Sequence, residues 1–187
     1  MRTVEGGKAV SILGFCGVKI GDVDDFLRKV KVGVHPAGVQ ILDAARVAGN
    51  SHLFFAFLNA QRSFEQGQAI SDNLEMETLL YASGQRQINR AIEMLGVKPQ
   101  TSSIATIIFA SDEREVEDAE NKLAKLVSGV WDDSVLEVKG NGKIEGLMKV
   151  FEVTELELKT MAGSGTTLDE ALTWFIVEMG SLLSTKR

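Results

Sequence analysis

The sequence predicts an α+β fold, with a small, mainly antiparallel sheet packed with several helices. Three observations lead there. The runs Val10–Val18 and Ile104–Phe109 are apolar and rich in β-branched or aromatic residues, as interior strands are. Segments with helical spacing lie between and after them, several opened by capping residues. The strands and helices do not alternate regularly, which speaks against a doubly wound parallel sheet. A chain of 187 residues is long enough to bury a real core, and residues 1–187 are expected to form a single domain.

The elements follow in order. Val10–Val18 is the first strand, with Ile12, Leu13 and Phe15 apolar. Asp22 is placed to cap a short helix whose apolar side is Phe26, Leu27 and Val30. Val39–Leu42 is a second strand candidate. From Ser51 to Glu65 the period becomes helical, with Leu53, Phe54, Phe57, Leu58 and Phe64 sharing a stripe. Asp72 and Glu75 have capping-box spacing for the next helix, which carries Leu74, Met76, Leu79 and Leu80 and is broken by Gly84. Gln85–Leu95 is predicted as a third helix, closed by Gly96 and barred by Pro99. Ile104–Phe109 is the best strand in the chain, and Asp112 starts a long helix through Val116, Ala119, Leu123 and Val127. A short strand is expected around Val135–Lys139. Lys143–Phe151 has helical spacing, and Thr154–Glu157 forms a capping box. Gly163-Ser164-Gly165 suggests a hinge. Thr167 and Glu170 then cap a final helix running to about Leu183. Its apolar residues nearly encircle the axis, so either it is buried or part of it waits for a partner.

Composition bounds the class. Hydrophobic residues make up 44% and charged residues 25%, near the globular average, which excludes disordered and fibrous chains. No secretory apolar region with a cleavage site is visible, and no apolar stretch nears the roughly 20 residues of a membrane-spanning helix. The lone Cys16 lies in an apolar segment and is expected to fill the core of a cytoplasmic protein. The net charge of −6 does not steer nucleic acid to the molecule, so any RNA contact needs a local basic patch.

A search for chemistry finds little. His35 and His52 lack a nearby second ligand, and one cysteine cannot build a thiolate cluster. His52 is expected to cap or pack and His35 to sit in a turn. No nucleophile elbow and no glycine-rich phosphate loop appear. The acidic pairs Asp24-Asp25, Asp132-Asp133 and Glu155/Glu157 are expected to be solvated surface. These features predict a protein that is not an enzyme and uses no cofactor. The turn Tyr81-Ala82-Ser83-Gly84-Gln85-Arg86-Gln87-Ile88 is more distinctive. Arg86 and Arg90 are four apart, and Arg62 lies on the preceding helix. Such guanidinium groups suit phosphate binding; equally, Gln85, Arg86 and Gln87 suit bracing of the two helices.

The helix from His52-Leu53 to Ala60, the segment Glu77-Thr78-Leu79-Leu80-Tyr81-Ala82-Ser83-Gly84-Gln85-Arg86-Gln87-Ile88 and the finish Ala91-Ile92…Gly96-Val97 resemble the kinase-binding subunit of the KEOPS complex, called TPRKB in eukaryotes, and within it an archaeal member. The resemblance spans Val10–Leu183 and is densest over residues 50–97. It implies a non-catalytic subunit of the machinery that makes N6-threonylcarbamoyladenosine at tRNA position 37. It also implies direct binding to a small atypical kinase/ATPase, an indirect link to the KEOPS catalytic subunit, and recruitment of tRNA through its 3′ CCA end, with neither membrane nor DNA as partner. Val177-Glu178-Met179-Gly180-Ser181-Leu182-Leu183 resembles the family's C-terminal kinase-docking element, which implies a docking helix over residues 167–184 with Phe175, Ile176, Met179, Leu182 and Leu183 as the expected kinase contacts. The family pattern has an arginine after Glu178 and then a bulkier aliphatic, where this chain has Met179 and Gly180. The expected tRNA contacts are Arg62, Gln85, Arg86, Arg90 and Lys98, with Lys19 and Lys31 as further candidates. The competing readings are a protein-binding domain without RNA binding and a small-molecule enzyme of unfamiliar type.

Overall fold

The computed structural model describes residues 1–5, 7–161 and 166–185. The expected Gly163-Ser164-Gly165 hinge lies outside the described residues. The fold is α+β, and the chain forms two compact units, one of residues 1–44 and 96–136, the other of residues 45–95 and 137–187.

The first unit holds the sheet. Its strands are β1 (Arg2–Glu5), β2 (Lys8–Cys16), β3 (Gly38–Asp43), β4 (Ser103–Ala110) and the two-residue β5 (Val130–Trp131). The order is β1-β2-β4-β3, every pairing is antiparallel, and β5 pairs with the far end of β2 at Phe15 and Cys16. Helix α1 (Val23–Val34) begins where the Asp22 carboxylate accepts the Asp25 N–H at 2.7 Å. The core joins Leu13, Phe15, Ile104 and Ile108 of the strands to Val30 and Val34 of α1 and to Val116, Ala119 and Leu123 of the long helix after β4. Each of these side chains larger than alanine contributes roughly 1.5–3 kcal/mol by leaving water.

Two expectations need correction here, and one strand is added. The added strand, β1, pairs Arg2–Glu5 with residues 8–11, and Arg2 ties it down by an ion pair with the nearly buried Glu120. Val135–Lys139 is not a strand: the extended pair is Val130–Trp131, and residues 133–136 make a 3-10 turn. Asp132 and Asp133 cause that turn. The Asp132 carboxylate accepts the Ser134 N–H and hydroxyl, while Asp133 accepts the Gly14 N–H and the Trp131 indole N–H. Cys16 is half-buried at the end of β2, not core filler.

The second unit is helical. Its helices are α2 (Gly49–Glu65), α3 (Leu74–Ser83) and α4 (Ile88–Leu95), then α6 (Asn141–Phe151), α7 (Glu155–Met161) and α8 (Leu168–Ser181); α5 (Glu113–Leu126) belongs to the first unit. A 3-10 turn, Leu182–Thr185, continues α8. Buried residues of this unit include Leu53, Phe57, Leu79, Leu80, Leu147, Phe151, Leu158, Leu172 and Ile176.

Local chemistry sets these boundaries. Asn73, not Asp72, caps α3 by accepting the Met76 N–H at 2.9 Å. Glu77, one turn in, is fully buried and turns back to the segment before the helix. Its carboxylate accepts the N–H groups of Ile70 and Ser71 and the Ser71 hydroxyl at 2.8–3.1 Å. Gly84 ends α3 in the left-handed conformation, with φ of 63°, which glycine adopts without strain. Gln85–Gln87 then stay outside α4, which starts at Ile88 rather than at Gln85. Glu157 and Glu170 act as read from sequence, their carboxylates accepting the N–H groups of Thr154 and Thr167.

Candidate protein-docking face

The helix α8 divides its apolar residues between two sides. Leu172, Ile176 and Gly180 are buried, as is Leu183 just beyond the helix, and they follow one another at helical spacing. On the opposite side stand Trp174, Glu178 and Leu182, four residues apart; Trp174 is 50% and Leu182 46% exposed. Phe175 and Met179 lie between the two, half-buried. The rotation of the helix is set at Gly180, where an added Cβ would overlap the Tyr81 carbonyl oxygen of α3. The glycine lets α8 close on α3, so its missing side chain serves packing inside this unit.

Beside α8 runs α2. Its buried side is Leu53, Ala56, Phe57 and Ala60, with His52 and Gln61. Its other side carries Ser51, Phe54, Phe55 and Leu58, all half-buried, followed by the exposed Arg62. Phe55 and Trp174 meet with ring centroids 5.7 Å apart, and Asn59 Nδ2 donates to Ser181 Oγ at 3.1 Å. The result is a two-helix face in which Phe54, Phe55, Leu58, Trp174 and Leu182 supply apolar surface and Arg62 and Glu178 supply charge. Apolar side chains grouped in this way on two adjacent helices suit contact with another protein.

The residues expected to dock are therefore split. Leu182 is open to solvent, Phe175 and Met179 are partly so, and Ile176 and Leu183 are closed inside their own unit. Phe55 and Trp174 were missed by sequence reasoning. The signal pointing to Trp174 was the apolar excess around α8, since a helix apolar on every side must show some of it to solvent; Phe55, on α2, had no such signal.

The expected RNA residues belong to both units. Arg62, Arg86 and Arg90 are exposed and Gln85 is half-buried, all in the helical unit, whereas Lys98, Lys19 and Lys31 belong to the sheet unit. Arg86 Nη1 donates to the Leu183 carbonyl at 3.4 Å, so this side chain braces the turn after α8. Because residues 85–87 are not helical, Arg86 and Arg90 do not share a helical face. Arg46, unremarked in the sequence, donates to the Glu93 and Met94 carbonyls and so closes the C-terminal end of α4.

His52 is buried and polar. Its Nδ1 accepts the Ala48 N–H at 3.1 Å, and its Nε2 donates to the Ala82 carbonyl at 2.7 Å. This pairing fixes the neutral tautomer. Burial pushes the imidazole down to about 4, against a smaller opposing effect of the Ala82 bond. Among the described residues no group of three or more His, Cys, Asp or Glu side chains is placed to hold a metal ion. No described helix is long and apolar enough to cross a membrane.

Comparison with known proteins agrees with a protein-binding role for relatives of this chain. Residues 25–173 match the family model described as kinase binding protein CGI-121. The regulatory protein Cgi121 of Methanocaldococcus jannaschii is 36% identical over 114 residues, covering 61% of this chain and 70% of that protein. With most of its length matched by the family model and a relative this similar, the chain belongs to the CGI-121 family.

Proposed function

We propose that this chain is a non-catalytic regulatory subunit that binds a small protein kinase on the α2/α8 face. The observation that carries the reading is that face itself: Phe54, Phe55, Leu58, Trp174 and Leu182 presented together by a member of a family described as kinase binding. Covering such a face stabilises a complex at roughly 25 cal/mol per Å² of apolar area, before the costs of association. A few large side chains carry most of that energy, and Trp174 is the residue type most enriched among them. In the finer form of the reading, the chain is an archaeal subunit of the KEOPS assembly. There it regulates the atypical kinase/ATPase and helps recruit tRNA by its 3′ CCA end for threonylcarbamoylation at position 37. The exposed Arg62 and Arg90 support the RNA part. The direct test is titration of the purified chain into the cognate kinase, followed by measurement of ATP hydrolysis by each protein alone. A stoichiometric complex with no hydrolysis by this chain is expected. Absence of a complex, or hydrolysis that tracks this chain through repurification, refutes the reading.

A further inference from the structure

Next to Trp174 the helical unit holds an open cavity of about 320 Å³, framed by the first turn of α2, the segment 137–139 and the first turn of α8. That volume is at the lower end for small-molecule sites and matches one extended side chain better than a cofactor. Its lining has a definite charge. Glu137, Asp169 and Glu170 contribute three carboxylates against the single ammonium of Lys139, a balance of two negative charges. The N-terminal ends of α2 and α8, each equivalent to about half a positive charge, do not cancel it.

The acceptors are unevenly used. Lys139 pairs with Glu137 at 2.6 Å, and Glu170 accepts the Thr167 N–H. Asp169, by contrast, has no partner for its carboxylate among the described residues, and the buried Asn50 Oδ1 on the same wall has no donor. Trp174 borders them with half its surface open. The unpaired Asp169 carboxylate, the excess negative charge and the half-open Trp174 indole together suit a cationic donor: a guanidinium or ammonium group on an apolar stem.

We propose that this cavity takes the side chain of an arginine or lysine of the docking kinase, which fixes the orientation of the complex. The inference rests on the kinase-binding reading and deepens it, since Trp174 belongs to both the apolar face and the cavity wall. The apolar face supplies binding energy; the acidic cavity supplies selection among partners and orientation.

The test uses the full chain and two probes, N-acetyl-arginine amide and N-acetyl-norleucine amide, with the indole N–H resonances of Trp131 and Trp174 followed by NMR. The chain has two tryptophans, and Trp131 lies in the other unit, so it serves as the internal control. The arginine probe is expected to shift Trp174 saturably and leave Trp131 in place. The norleucine probe is expected to shift neither resonance, and Asp169→Asn to weaken the arginine response about tenfold. The same variant is then expected to lower affinity for the cognate kinase five- to tenfold at low salt and less at high salt. Equal responses to the two probes, or to wild type and Asp169→Asn, overturn the inference. If the kinase binds Asp169→Asn normally but fails to bind Leu182→Asp, the cavity assignment falls and the kinase-binding reading stands. If the kinase does not bind the wild type, both fall.

Discussion

Gly180 of α8 lies directly against the carbonyl of Tyr81 in α3, with no room for a Cβ between them. The obstacle is backbone, which cannot rotate away as a side chain end can. Alanine is the better helix former by about 1 kcal/mol, yet at this position the overlap with backbone costs about 3 kcal/mol, the upper end of the overpacking range. Gly180→Ala is therefore expected to lower the melting temperature, and Gly180→Leu to lower it further and weaken kinase binding by turning α8. A melting temperature raised by alanine would show that α8 does not close on α3 as described.

Leu182 and Leu183 are neighbours with opposite environments, one 46% exposed and the other fully buried. Leu183→Asp is expected to destabilise the protein by about 3 kcal/mol or more, because it buries an unpaired charge. Leu182→Asp is expected to leave the melting curve within about 0.5 kcal/mol of wild type while weakening the kinase complex. Thermal melts and titrations of the two single variants separate core from docking surface; similar melting curves would refute the assignment.

His52 makes stability depend on pH. Its folded value is pushed down to about 4 from 6.5 by burial, so below pH 6.5 the unfolded chain binds the proton that the folded chain refuses. Stability is fully present above about pH 6.5 and is lost as the pH falls toward 4. Between pH 7 and pH 5 the loss from this group is about 2 kcal/mol. Urea unfolding at the two pH values measures it. Substituting His52 with Gln is expected to remove most of the difference, and an unchanged difference would assign it to other groups.

Glu77 gathers the loop before α3. Replacing it with Ala leaves the N–H groups of Ile70 and Ser71 without their acceptor, at a cost on the order of 3 kcal/mol. Glu77→Gln keeps an amide oxygen but loses charge and one acceptor, and is expected to cost less. Urea unfolding of both variants checks the order Ala worse than Gln.

Arg90 offers the cleaner test of RNA contact, because Arg86 also braces the Leu183 carbonyl. Arg90→Gln is expected to weaken tRNA binding and reduce its salt slope by about one, without change in melting temperature. Equal binding of tRNA with and without its 3′ CCA would refute end recognition, and an unchanged slope would remove Arg90 from the contact.

The parts of this fold legible in the sequence are those governed by one dominant local signal. β2 and β4 are apolar runs with no rival interpretation, and α5 and α7 open on capping residues that do cap. Asp72 and Asn73 both suit the start of α3, and the choice between them depends on where Glu77 is drawn by Ile70 and Ser71. β1 is polar because it is an edge strand, so its pairing with residues 8–11 leaves no hydrophobic pattern. At the α2/α8 face, sequence revealed that α8 has too much apolar surface for one side. It did not reveal which residues face out, because the register depends on the contact of Gly180 with a residue 99 positions earlier. For the same reason Trp174 escaped notice and Leu183 was expected on the outside.

The central claim, kinase docking on the α2/α8 face, is tested most directly by calorimetric titration of the cognate kinase with wild type and with Trp174→Asp/Leu182→Asp. Both side chains are half exposed, so the double variant is expected to keep its fold and melting curve. Wild type is expected to form a saturable one-to-one complex, and the folded double variant to lose at least a hundredfold in affinity. A wild-type chain that fails to bind, or a double variant that binds as tightly as wild type, would contradict the claim.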